Sequence, residues 1–97
     1  MKTYFVSRHQ GAIDWIKTQD IKIDHFIEHL DVDMVKNGDV VIGTLPIHIA
    51  AQVCKKEAKF YFLSINVHKE QRGQELNKDE LIKQECKLQQ FIITEVV

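Results

Sequence analysis

Asp39-Val40-Val41-Ile42-Gly43 is the segment that leaves this chain the least freedom. Three consecutive β-branched residues favour a strand, and with no polar residue alternating among them neither face of that strand suits water. Such a strand belongs in the middle of a parallel sheet with helices above and below, because parallel neighbours are joined only by long crossover connections. The flanking sequence supplies both. Thr3-Tyr4-Phe5-Val6 reads as a first strand, Ser7-Arg8-His9 as a polar loop, and about Gly11 to Gln19 as a helix burying Ala12, Ile13, Trp15 and Ile16. Asp24 to Leu30 is assigned to a second strand, although Ile23, Phe26, Ile27 and Leu30 also fit a helical stripe. A helical turn around Val32 to Lys36 then ends at Asn37-Gly38, a turn signal.

Beyond the central strand, Thr44-Leu45-Pro46 opens a helix that runs to about Glu57, with Thr44 as its candidate cap and Pro46 in its first turn. Its apolar residues are Ile47, Ile49, Ala50, Ala51, Val53 and Cys54, which makes Cys54 a small core hydrophobe. Lys59 to Ile65 is the fourth strand. A long polar connection follows from Asn66 to Leu76, then Asn77 and Glu80 as a capping box for a last helix that ends near Gln89 and buries Leu81, Ile82, Cys86 and Leu88. The β-rich tail from Phe91 is an edge strand or a dimer contact. The expected fold class is α/β, one domain over residues 1–97, with a mostly parallel four- or five-stranded sheet flanked by helices.

Net charge narrows the partners. At −1, with lysines and carboxylates interleaved, the chain lacks a broad electrostatic footprint for duplex DNA, whereas a small anion needs only a local basic site. Eleven lysines are scattered, but the two arginines, Arg8 and Arg72, each follow a strand. Lys55, Lys56 and Lys87 read as solvated helix faces. Cys54 and Cys86 have no paired spacing and read as buried thiols of a reducing compartment. His25 and His29 share a face only if that segment is helical, and no metal ligand set is expected. No apolar run approaches the roughly 20 residues that cross a bilayer, so the expected location is the cytoplasm, without membrane contact.

Right-handed crossovers gather the strand-end loops on one side of a parallel sheet, where open α/β sheets bind ligands. Ser7, Arg8, His9 and Gly11 follow the first strand, Asp31 ends the second, Gly43, Thr44 and His48 follow the third, and Ser64, Asn66, His68 and Arg72 follow the fourth. A hydroxyl, guanidinium groups, imidazoles and helix N-terminal amides suit a phosphate ester. Carboxylates able to hold magnesium are sparse there, Asp31 being the main candidate, so the chemistry indicated is phosphoryl transfer without a metal or cofactor. An RNA substrate brings its own nucleophile, the 2′-hydroxyl; Ser7 is suited to a phosphate oxygen and His9 or His48 to moving the proton. The bland reading of the same residues is an ordinary strand-to-helix turn in which Ser7 caps the helix and Arg8 and His9 are solvated.

Tyr4-Phe5-Val6-Ser7-Arg8-His9 with Gly11-Ala12 and Trp15, His29-Leu30-Asp31, Gly38 to Pro46, Leu63-Ser64 and Arg72-Gly73-Gln74-Glu75-Leu76 occur in an order that resembles the small stand-alone CRISPR-associated proteins of type III systems, the Csx group. The resemblance implies a Rossmann-like domain, usually a homodimer, that acts as a ring nuclease. It would bind the second messenger cyclic tetra-adenylate and cut it by 2′-hydroxyl attack to linear di-adenylates with 2′,3′-cyclic phosphate ends, switching the antiviral signal off. It carries over Ser7, Arg8, His9, Thr44 and Arg72 as ligand contacts. A protein that only binds and sequesters the same ring is the alternative.

Overall fold

A computed structural model describes residues 1–64 and 86–97. The central run forms β3 (Val40–Gly43), and the earlier segments form β1 (Thr3–Val6), α1 (Gln10–Lys17) and β2 (His25–Ile27). A 3₁₀ turn at Val32–Met34 precedes β3, and α2 (Ile47–Lys55), β4 (Lys59–Ser64) and β5 (Lys87–Phe91) follow it. The strands lie in the order β2-β1-β3-β4-β5, with every neighbouring pair parallel except β4 and β5. β3 is therefore the middle strand, as its unbroken apolar run requires. The architecture is a Rossmann-like α/β fold with a mostly parallel sheet.

Side chains of successive strand residues point to opposite faces, and the two helices among the described residues pack one on each face. Tyr4, Val6, Val41 and Phe60 pack with Ala50 and Val53 of α2; Phe5, Ile42 and Leu63 pack with Ala12, Trp15 and Ile16 of α1. Two separate cores result. Burying the six largest fully enclosed side chains, Phe5, Phe60, Ile16, Ile42, Val41 and Val53, contributes about 1.5–3 kcal/mol each before chain entropy is counted.

Turn chemistry fixes the ends. Asp39 N–H donates to Lys36 O at 3.0 Å across a turn with Gly38 at φ +86°, where Asn37-Gly38 was expected to turn. α2 closes in a Schellman arrangement: Ala58 N–H donates to Val53 O at 3.4 Å and Glu57 N–H to Cys54 O at 2.9 Å. Glu57 holds the left-handed position, φ 62°, that glycine usually takes there.

Several expectations need correction. Lys87 to Gln89 belong to an edge strand and not to the end of a helix, so β5 starts earlier than the expected tail strand and stops at Phe91. The rest of that helix, its capping box and the connection from Asn66 lie outside the described residues. β2 covers three residues of the expected Asp24 to Leu30. Thr44 does not cap α2; Pro46 holds the N-cap position, and Thr44 stands too early in the chain for its hydroxyl to meet the first turn. His9, not Ser7, holds the N-cap position of α1. Ile47 is 74 % exposed and so is no part of the buried stripe of α2. His25, on a strand, stacks on Tyr4 with ring centroids 5.3 Å apart.

Candidate functional site

β1 leads through α1 to β2 on one side, whereas β3 leads through α2 to β4 on the other, and the two helices leave the sheet on opposite faces. β1 and β3 are neighbours. The chain thus departs in two directions from one pair of adjacent strand ends, the crevice where doubly wound sheets take their ligands. Its floor is main chain. A Cβ on Gly43, φ +155°, would stand 2.5 Å from Val6 O and 3.3 Å from Val6 Cβ, so only glycine lets the ends of β1 and β3 close up.

The rim on the β1 side is Ser7-Arg8-His9. Ser7 N–H donates to Ile27 O at 2.9 Å, prolonging the β1–β2 pairing, and Ser7 Oγ accepts the N–H of His9 at 3.1 Å. That small turn reverses the chain into α1, whose first bonds run from Ala12 and Ile13 N–H to His9 O at 3.1 and 3.2 Å. Gln10 and Gly11 are in the first turn, where N–H groups have no preceding helical carbonyl and favour an anion. Arg8 and His9 are exposed, Ser7 half-buried and Gly11 buried.

On the β3 side Gly43 is buried and Thr44 exposed, with His48 exposed in the first turn of α2. Ser64 ends β4, one strand further out, opposite Lys87 of β5. Asp31 is exposed beyond β2 and already serves as an acceptor: its Oδ1 takes Asp33 N–H at 3.0 Å and caps the 3₁₀ turn. Asn66, His68 and Arg72 lie outside the described residues. The topology therefore brings Ser7, Arg8, His9, Gly11, Gly43 and Thr44, with His48 in the first turn of α2, to the ends of β1 and β3, and leaves Ser64 beyond β3.

Two cations behave differently from their sequence reading. Lys87 stands exposed at the strand-end edge rather than on a helix face, and Lys87-Leu88-Gln89-Gln90-Phe91 carries no period-two alternation that would have announced it. Lys56 is not solvated: its Nζ donates to Val32 O at 2.6 Å and Val35 O at 3.3 Å, tying α2 to the 3₁₀ turn. Across the sheet from the crevice, buried Asp39 accepts Lys2 N–H and Lys36 N–H, each at 3.0 Å. Burial opposes its charge, but those two donors, the N-terminal ammonium and the Lys2 amine outweigh burial and hold the carboxyl below its ordinary range.

Both cysteines are free and half-buried. Burial pushes the Cys86 thiol up to about 11, which leaves it protonated near neutrality. Among the described residues no three histidine, cysteine or carboxylate side chains gather as a metal site, and no helix is long and apolar enough to cross a membrane. A groove of about 810 Å³ runs beside α2 and the tail, and His48 is the candidate residue among those described that lines it.

A family model described as "Putative CRISPR-associated protein (Cas_VVA1548)" matches residues 4–94. Compared with curated proteins and with solved structures, the chain matches none.

Proposed function

This chain belongs to the family Cas_VVA1548 of CRISPR-associated proteins, and we propose that it acts as a ring nuclease on cyclic tetra-adenylate. The observation that carries this reading is the β1–β3 crevice, floored by the Val6 and Gly43 main chain and rimmed by a hydroxyl, a guanidinium and an imidazole on consecutive residues. A strand-end edge with a basic rim suits a phosphodiester, and Lys87 adds a cation at the same edge.

In this mechanism Arg8 and the first-turn amides of α1 hold a non-bridging phosphate oxygen, and Ser7 Oγ, already turned to its own loop, donates to the same phosphate. The ribose 2′-oxygen attacks phosphorus, the O2′–P bond forms as the P–O5′ bond breaks, and His9 takes the 2′ proton while the leaving 5′-oxygen takes a proton from water, which His9 makes good when it gives its proton back to solvent. The products are a 2′,3′-cyclic phosphate and a 5′-hydroxyl. Two such cuts turn one ring into two linear di-adenylates and end its signal. Since the nucleophile belongs to the substrate and the charge is met by side chains and amides, no cofactor enters the scheme. A ring of four repeating nucleotides can sit on a two-fold protein axis, so a homodimer offers two copies of Ser7-Arg8-His9 to opposite phosphates.

Incubation with cyclic tetra-adenylate in excess EDTA, followed by chromatography, tests the reading. Linear di-adenylate ending in a 2′,3′-cyclic phosphate is the expected product. A ring that stays intact at high protein concentration overturns the nuclease; if calorimetry on the same sample shows stoichiometric binding, the function is sequestration.

A further inference from the structure

We propose that the groove between α2 and the tail is the surface on which a second copy of this chain docks. The homodimer in the functional reading specifies no interface, and this inference supplies one from a different part of the molecule. α2 turns Ala50 and Val53 to the sheet and leaves Ile47, Ala51 and Lys55 on the outward wall of the groove. The opposite wall is the tail, with Ile92 and Glu95. Ile47 is 74 % exposed and Ile92 83 % exposed, two large aliphatic side chains standing clear on facing walls of one depression. Leaving both in water forgoes the burial that ordinarily stabilises such residues.

The walls are braced. Cys54 Sγ accepts Ile93 N–H at 3.4 Å and donates to Phe91 O at 3.9 Å, so the tail is fastened alongside the helix while the groove between them stays open. A fixed depression flanked by protruding aliphatic groups presents both halves of a self-complementary contact: what projects from one copy fills the hollow of the other.

Charge selects the second copy over a foreign partner. The helix wall carries Lys55 and the tail wall carries Glu95. A two-fold rotation sets each wall against the other copy's opposite wall, pairing Lys55 with Glu95 twice, and the same arrangement in one-copy contact with an acidic or a basic partner leaves one of the two charges opposed. His48 belongs both to this groove and to the first turn of α2 at the crevice rim, so docking here puts the second copy beside the candidate site.

Light scattering on the ligand-free full chain, with dissociation constants from analytical ultracentrifugation, tests the surface. The expected mass is that of a dimer. Ile47→Asp and Ile92→Asp shift the population to monomer with unchanged circular dichroism, since neither side chain is in the core. Lys55→Glu and Glu95→Lys each replace two attractive pairs with two like-charge pairs and weaken association by about tenfold or more, and the double exchange restores it. A monomer at every concentration, a dimer indifferent to Ile47→Asp, or a double exchange that fails to rescue overturns the proposal. Ring cleavage assayed on the same preparations separates the two readings: a wild-type dimer that responds to these changes and does not cut the ring overturns the nuclease and leaves this interface standing.

Discussion

Two glycines at positive φ offer a test of what holds the crevice floor in place. Gly38, φ +86°, has nothing within 4 Å of the position a Cβ would take, whereas at Gly43, φ +155°, that Cβ would meet Val6 O at 2.5 Å. Gly38→Ala therefore suffers only the backbone penalty, about 1 kcal/mol. Gly43→Ala suffers a glycine-only backbone, about 1–3 kcal/mol, and an overpacked contact with main chain that cannot rotate away, about 1–3 kcal/mol more. A loss of about 4 kcal/mol is a large share of the roughly 5–15 kcal/mol that stabilises a domain. At about 4–8 °C per kcal/mol for a domain of this size, Gly43→Ala melts some 16 °C or more below wild type and Gly38→Ala about 4–8 °C below. Thermal and urea unfolding followed by circular dichroism measure both. Equal melting temperatures for the two variants would refute the close approach of β1 and β3 as the reason for Gly43.

Asp39 makes stability pH-dependent in a predictable direction. Its folded carboxyl lies below the unfolded value near ~3.9, so its contribution is complete above that pH and disappears as acid protonates the folded carboxylate. Urea titrations at neutral pH and below pH 4 should show wild type losing this part, while Asp39→Asn is weaker by about 1–3 kcal/mol at neutrality and less steep in acid. Glu57→Gly relieves a left-handed residue at the end of α2 but gives up the hydrogen bond from Asn37 Nδ2 to Glu57 Oε2 at 2.6 Å. That bond is exposed, so the net gain is up to about 1 kcal/mol, read as a higher melting temperature. Arg8→Ala, at an exposed residue, should leave the melt unchanged and weaken cyclic tetra-adenylate binding about tenfold or more through loss of a charged hydrogen bond of about 1.5–3 kcal/mol; unchanged affinity would move the ligand to another pocket.

The middle of the sheet was legible because its signal is local. Val40, Val41 and Ile42 declare a doubly buried strand by composition alone, and that fixed β3 at the centre and the loops after β1 and β3 at one edge. β5 was not legible in the same way, since Lys87-Leu88-Gln89-Gln90-Phe91 becomes a strand by pairing with Phe60 to Ser64, a contact that no window of neighbouring residues contains. The misplacement carried Lys87 from the rim to a helix surface. Caps failed for a finer reason: Thr44 and Ser7 are the right residue types, but capping depends on where the backbone turns, and the turns come at Pro46 and His9. Asp31 was recognised as a strand-end carboxylate, whereas its engagement with Asp33 N–H depends on a 3₁₀ turn that begins one residue later. Lys56 shows the same limit, because a lysine on a helix gives no sign that carbonyls from an earlier turn wait within reach.

The two apolar clusters have no buried residue in common, and the sheet stands between them as a partition. One side of the mouth between β1 and β3 therefore rests on Trp15 and Ile16, the other on Ala50 and Val53. Both strands nevertheless stand on both foundations, β1 through Tyr4 and Val6 on one face and Phe5 on the other, β3 through Val41 and Ile42. Repacking beneath either helix is therefore felt on both sides of the mouth.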